Sequence, residues 1–159
     1  MVKVMLAVIT LAFSLTCGQT LANDDIILTI DGQIAGGAPV NLRRADLEAI
    51  GNATITTTTP WHDGVVTFEG VPLTRLMEKI GAHGKIAFVV ALNEYVTEIP
   101  LSDFSEHGAI LALKKDGRYM EVADKGPLFV IYPYDDKPEL KSEIYFSRSA
   151  WQVRTITIE

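Results

Sequence analysis

Three short clusters in this chain carry side chains able to do recognition chemistry. Trp61-His62-Asp63 follows Pro60, Asn93-Glu94-Tyr95 lies between two apolar runs, and Arg148 stands just ahead of Trp151. Each tryptophan offers a stacking face and one N–H donor. His62 adds a further hydrogen bond, the Asp63 and Glu94 carboxylates accept from donors, and the planar Arg148 fork pairs with oxygen acceptors. Plainer roles compete with each: a Trp sealing a core edge, an Asn favouring a tight turn for its own backbone, an Arg in a surface ion pair.

Other chemistries find little support. His62, His83 and His107 lack any short metal-ligand spacing. Gly36-Gly37 lacks the strand-to-helix context of a phosphate loop, and no nucleophile elbow surrounds Ser147 or Ser149. The net charge is −6, with no block of like charges, which argues against a polyanion surface. Asp135 to Glu139 form an acidic loop, a secondary candidate for a contact surface.

The single cysteine, Cys17, falls inside a segment with the features of a secretory signal peptide. Lys3 is followed by an apolar run from Val4 to Leu15 and by Thr20-Leu21-Ala22. That run is too short to span a bilayer, which takes about 20 residues. Cleavage after Ala22 is expected; a lipid anchor on Cys17 fits poorly, because Ser14 stands where leucine is usual. Loss of 22 from 159 residues leaves 137, one domain's worth, with a net charge of −7 and no thiol.

The elements that must position the clusters are short. Ile26 to Ile30 reads as a strand stopped by Asp31-Gly32, and Leu42 to Ile50 as a helix with Asn41 as its cap. Ala53 to Thr59 is extended, Pro60 to Gly64 a loop, and Val65 to Phe68 a strand. Leu73, Leu76, Met77 and Ile80 fall at helical spacing between Pro72 and Gly81. Hairpins are expected around Asn93-Glu94 and Asp116-Gly117, and a central strand over Leu128 to Tyr132. Trp151 to Ile158 alternates and should close the sheet. The fold class is α+β: one domain with many short strands, two short helices and one core.

One ordered set of motifs goes further. Phe68-Glu69-Gly70-Val71-Pro72-Leu73 leads, followed by Asn93-Glu94-Tyr95, Ile99-Pro100-Leu101, Ile110-Leu111-Ala112 and Asp116-Gly117. Lys125-Gly126-Pro127-Leu128, Tyr132-Pro133 and Trp151 with Ile156 complete it. The set resembles the molybdopterin-binding domain of the sulfite-oxidase family over roughly residues 26 to 159. Thr59-Pro60-Trp61, Asn93-x-Tyr95, Gly126-Pro127 and Arg148-x-x-Trp151-Gln152 resemble a short exported branch, commonly labelled molybdopterin-dependent oxidoreductases. Some members look like periplasmic pterin-binding (PruR-like) regulators that present a pterin to the outer domain of a membrane cyclic-di-GMP enzyme.

That resemblance implies a pterin ligand, expected in a reduced tetrahydro form, with molybdopterin as the alternative. It implies a periplasmic location and a membrane signalling receptor as partner. Trp61, His62, Asp63, Asn93, Glu94, Tyr95, Arg148 and Trp151 become the expected ligand contacts, with no catalytic residue and no metal ligand among them. In the catalytic members a protein thiolate completes the molybdenum coordination, at a position in or near Thr54 to Thr59. Here that stretch is Thr-Ile-Thr-Thr-Thr-Thr, whose hydroxyls are hard and weakly acidic. The departure favours a binder over an enzyme. It leaves open an oxidoreductase with a non-cysteine metal site, and an interaction module that kept only the fold.

Overall fold

The computed structural model describes residues 25–159. The expected leader and Cys17 lie outside the described residues. Two five-stranded sheets make up the frame. The first has the order β2-β1-β10-β5-β6, from β1 (Ile26–Gly32), β2 (Val40–Arg43), β5 (Ile86–Ala91), β6 (Val96–Pro100) and β10 (Val153–Ile158). The second runs β3-β4-β7-β8, with β9 also paired to β7; its strands are β3 (Ala53–Thr59), β4 (His62–Pro72), β7 (Ile110–Lys115), β8 (Arg118–Tyr119) and β9 (Phe129–Ile131). All described pairings are antiparallel except β1 with β10.

Local sequence explains the best-defined helix. In α2 (Leu73–Ile80) the four predicted apolar positions are all buried. Gly81 ends it in the left-handed region at φ 63°, where a side chain would be strained, and the Gly81 and Ala82 N–H groups donate to the Glu78 and Met77 carbonyls. Ahead of it, Gly70 lies where β4 crosses β7. A Cβ there would stand 2.1 Å from the Leu111 carbonyl oxygen, so only glycine allows that crossing.

Several expectations need correction. Asn41 does not cap a helix. It lies in β2 and accepts a hydrogen bond from the Thr29 hydroxyl (2.9 Å), because Leu42 pairs with Leu28 in the sheet. Helix α1 (Arg44–Ile50) starts two residues later than Leu42, its first turn tied back by the Arg43 N–H donating to Asp46 Oδ2 (2.8 Å). The loop over Pro60 to Gly64 shrinks to a turn, since β4 already begins at His62. Two further helices exist, α3 (Leu101–His107) and α4 (Glu143–Arg148). Finally, β10 does not close a sheet edge but runs through its middle, between β1 and β5.

The buried side chains form two clusters rather than one core. The larger joins the first sheet to the helices through Leu28, Ile30, Leu47, Leu76 and Ile156. The smaller sits within the second sheet around Phe68, Ile110, Phe129 and Ile131. Half-buried Trp61 packs against both, so one side of the indole is fixed by the meeting of the two clusters.

Candidate functional site

A cavity of about 270 Å³ opens where the β5–β6 hairpin approaches α4. Its lining is Trp61, Asn93, Tyr95, Glu143, Phe146, Ser147, Ser149 and Trp151. Four of the eight expected contacts, Trp61, Asn93, Tyr95 and Trp151, therefore meet in one place, although the chain separates them widely.

The aromatic wall is rigid. The Trp61 ring centre lies 5.5 Å from Trp151, 5.5 Å from Phe129 and 6.0 Å from Phe146, all tilted or edge-on. Both indoles also line the cavity, so each offers part of its ring to a ligand. Across the cavity, Tyr95 donates from its hydroxyl to the Ser147 carbonyl at 2.8 Å, tying the hairpin to α4. Asn93 accepts from the Tyr95 N–H at 3.1 Å, leaving its amide nitrogen for a ligand. Ser149 is buried, donates to the Tyr145 carbonyl at 3.0 Å and is hydrogen-bonded to the Tyr134 hydroxyl. Burial pushes the Tyr134 phenol up to about 12, with the Ser149 bond opposing the shift.

The other four expected contacts lie elsewhere. His62 turns into the smaller cluster, its ring against Phe68 and Phe129. Its Nδ1 is hydrogen-bonded to the Thr59 hydroxyl at 2.9 Å, and its buried Nε2 has no partner. Burial lowers its pKa, with the Lys115 and Lys125 charges adding to the effect. Asp63 is exposed on β4, and Glu94 is exposed at the hairpin tip in the left-handed region, φ 66°. Arg148 does not line the cavity: its Nη1 donates to Asp103 Oδ2 at 2.8 Å, where the Tyr132 hydroxyl also donates at 3.1 Å. The Asp103 carboxylate is almost wholly buried, and burial followed by that charge raises the Tyr132 pKa. An expected ligand contact is thus a buried strut between α3 and α4.

Sequence reasoning missed Glu143, Phe146, Ser147 and Ser149. Glu143 is the only carboxylate in the lining and has no hydrogen bond or ion pair to any described residue. The serines flank Arg148 and were visible only as failed nucleophile candidates. Within α4, too short to display a period, nothing marked Glu143 or Phe146.

The threonine stretch can be tested against the thiolate it would replace. Residues 25–159 hold no cysteine. Thr56 is hydrogen-bonded to Thr67 (3.1 Å), Thr57 donates to the Thr58 carbonyl (3.2 Å), Thr58 donates to Asp135 (2.6 Å), and Thr59 is paired with His62. The hydroxyls of Thr56 to Thr59 are committed within the protein, Thr54 is exposed, and no group of three or more His, Cys, Asp or Glu among the described residues is arranged to hold a metal. Hard, already bonded hydroxyls without a thiolate do not fit the protein's side of a molybdenum centre. Asp135, from the acidic loop, is likewise committed: Thr58 donates to it through N–H and hydroxyl, and Lys141 pairs with it at 2.6 Å. Those bonds hold its carboxyl down to about 2.

No curated protein matches the chain. The family described as the oxidoreductase molybdopterin binding domain matches residues 12–135, well over half of the sequence. With the mixed two-sheet architecture in agreement, the chain belongs to the oxidoreductase molybdopterin binding domain family.

Proposed function

We propose that this protein is a non-catalytic pterin binder, exported to the periplasm, that reports its ligand to a membrane signalling protein such as a cyclic-di-GMP enzyme. The observation that carries the reading is the pairing of an aromatic cavity with hydroxyls, Thr56 to Thr59, already spent on internal hydrogen bonds. A pterin ring is flat, and its pyrimidinone edge sets N–H donors beside a carbonyl. Trp61 and Trp151 would hold its faces, Glu143 would accept from the donors, and the Asn93 amide would donate to the ring acceptors. At about 270 Å³ the cavity is near the small end of ligand pockets, the scale of a bicyclic ring.

A receptor has something to read at the mouth. Leu92, Val96 and Ile144 are each next in sequence to a lining residue and are 42%, 53% and 59% exposed. Apolar side chains left in water around a site suit a partner better than they suit solvent. A ligand bridging the hairpin and α4 would fix their relative position, and a receptor with higher affinity for the fixed form would sense occupancy.

The test is to purify the exported protein under reducing, anaerobic conditions, denature it, and analyse the released small molecules by mass spectrometry with a parallel molybdenum assay. A free pterin without metal supports the reading. Stoichiometric molybdenum with molybdopterin overturns it in favour of an oxidoreductase with a non-cysteine metal site.

A further inference from the structure

Among the described residues, Glu143 is the one carboxylate that lines the aromatic cavity. It begins α4, and its carboxylate makes no hydrogen bond or ion pair with a described residue. Three other carboxylates around the second sheet and the helices are paired with cations: Asp103 with Arg148, Asp124 with Lys115, Asp135 with Lys141. No lysine or arginine lines the cavity. Arg148, flanked by two lining serines, is spent on Asp103, and Lys125 lies 5.9 Å from the Trp151 ring centre without joining the lining.

Glu143 is therefore the one charged side chain in the lining, with the exposed Glu94 carboxylate between lining residues Asn93 and Tyr95 adding to the negative side of the balance. A family defined by molybdopterin handles a ligand whose tail ends in a phosphate, and phosphate recognition calls for cations or a cluster of N–H donors. This cavity presents the opposite. We propose that Glu143 makes the site charge-selective, taking pterins without a phosphate by their N–H edge and rejecting phosphorylated pterins, the family's own cofactor among them. The proposal rests on the pterin-binding reading and assigns its specificity to one residue. Two effects act together. The carboxylate gains charge-assisted hydrogen bonds from the ring's donors, and it repels a phosphate dianion in the same cavity, an effect that salt should weaken because Glu143 is exposed.

The experiment titrates the full exported protein with neopterin and with neopterin 3′-phosphate, reading the quenching of Trp61 and Trp151 fluorescence. Glu143→Gln and Glu143→Lys are run beside the wild type; Glu143 is exposed and unpartnered, so both variants should fold, as circular dichroism checks. The wild type should bind neopterin at least about tenfold more tightly than its phosphate. Glu143→Gln should weaken neopterin and narrow that ratio, and Glu143→Lys should reverse it. Equal affinities in the wild type, or a ratio unchanged in both variants, overturn the charge selection while leaving pterin binding in place. If the wild type binds neither ligand, the pterin reading itself fails and the selection with it.

Discussion

The Tyr95 hydroxyl donates to the Ser147 carbonyl at 2.8 Å, joining positions 52 residues apart across the mouth of the cavity. That bond makes the hairpin and α4 a single frame. Tyr95→Phe keeps the ring and removes the bond. The loss should cost about 1 kcal/mol of unfolding free energy. Hydrogen exchange should speed up selectively in residues 143–148, the segment the bond restrains. Unchanged exchange there would mean that α4 is held by packing alone.

Arg148 pairs with Asp103 rather than lining the cavity, and a structural role can be separated from a ligand contact. Arg148→Ala strands the buried Asp103 carboxylate with only the Tyr132 hydroxyl. Breaking a buried pair from one side costs about 3 kcal/mol. Asp103→Asn combined with Arg148→Met should recover much of that loss, because neither charge is then left alone. Denaturant melts of the three variants decide the matter. A pterin affinity that collapses in the double variant while stability recovers would return Arg148 to the site.

Trp61 needs a gentler probe than truncation. Because it packs on both clusters, Trp61→Ala should destabilise by about 3 kcal/mol, confusing loss of ligand with loss of fold. Trp151 packs against the smaller cluster alone, so Trp151→Leu should reduce pterin binding with a smaller shift in melting temperature. Parallel titrations and thermal melts distinguish the two. A large stability loss at Trp151 with normal binding would make it a core residue only.

What the sequence made legible follows from which interactions are local. The helical spacing of Leu73, Leu76, Met77 and Ile80 lies within eight residues, and Gly81 supplied its own stop. Gly70-Val71-Pro72 was recognisable because a backbone crossing forbids any Cβ there. Asn41 misled because a good cap is also a tolerable strand residue, and the pairing of Leu28 with Leu42 decided the outcome. The alternation from Trp151 to Ile158 revealed a strand but not its neighbours, since the parallel match with β1 joins opposite ends of the chain. Arg148 found its carboxylate 45 residues upstream, a partner no spacing rule selects. Glu143 was silent because a helix of six residues has no period to betray which side it shows.

At the acid end, Asp135 supplies one titration. Its folded pKa of about 2 lies below the ordinary value of 3.8, so its contribution is present above 3.8 and is lost as pH falls through the folded value. Asp135→Asn should flatten the stability profile between about pH 4 and about pH 2 and free the turn around Thr58. Unfolding curves at stepped pH measure it, and an unchanged acid limb would mean that Lys141 and Thr58 do not hold the carboxylate in solution.

His62 governs a separate window. Its ring packs on the Phe68–Phe129 pair, Nδ1 is paired with Thr59, and Nε2 is buried without a partner. Lys115 and Lys125 oppose a further positive charge, while Asp124 and Asp116 offset them in part, so the folded pKa lies below 6.5. The unfolded chain then binds the proton first: stability is full above 6.5 and declines as pH falls from there towards the folded value. His62→Asn retains a partner for Thr59 and removes the titration. The wild type should lose unfolding free energy as pH falls below 6.5, and the variant should not. Because Trp61 precedes His62 and shares Phe129 with it, the same acidification should loosen the aromatic wall of the cavity and weaken pterin binding in the wild type alone. A wild-type profile as flat as the variant's would show that the imidazolium is accommodated in the cluster, leaving the wall insensitive to pH.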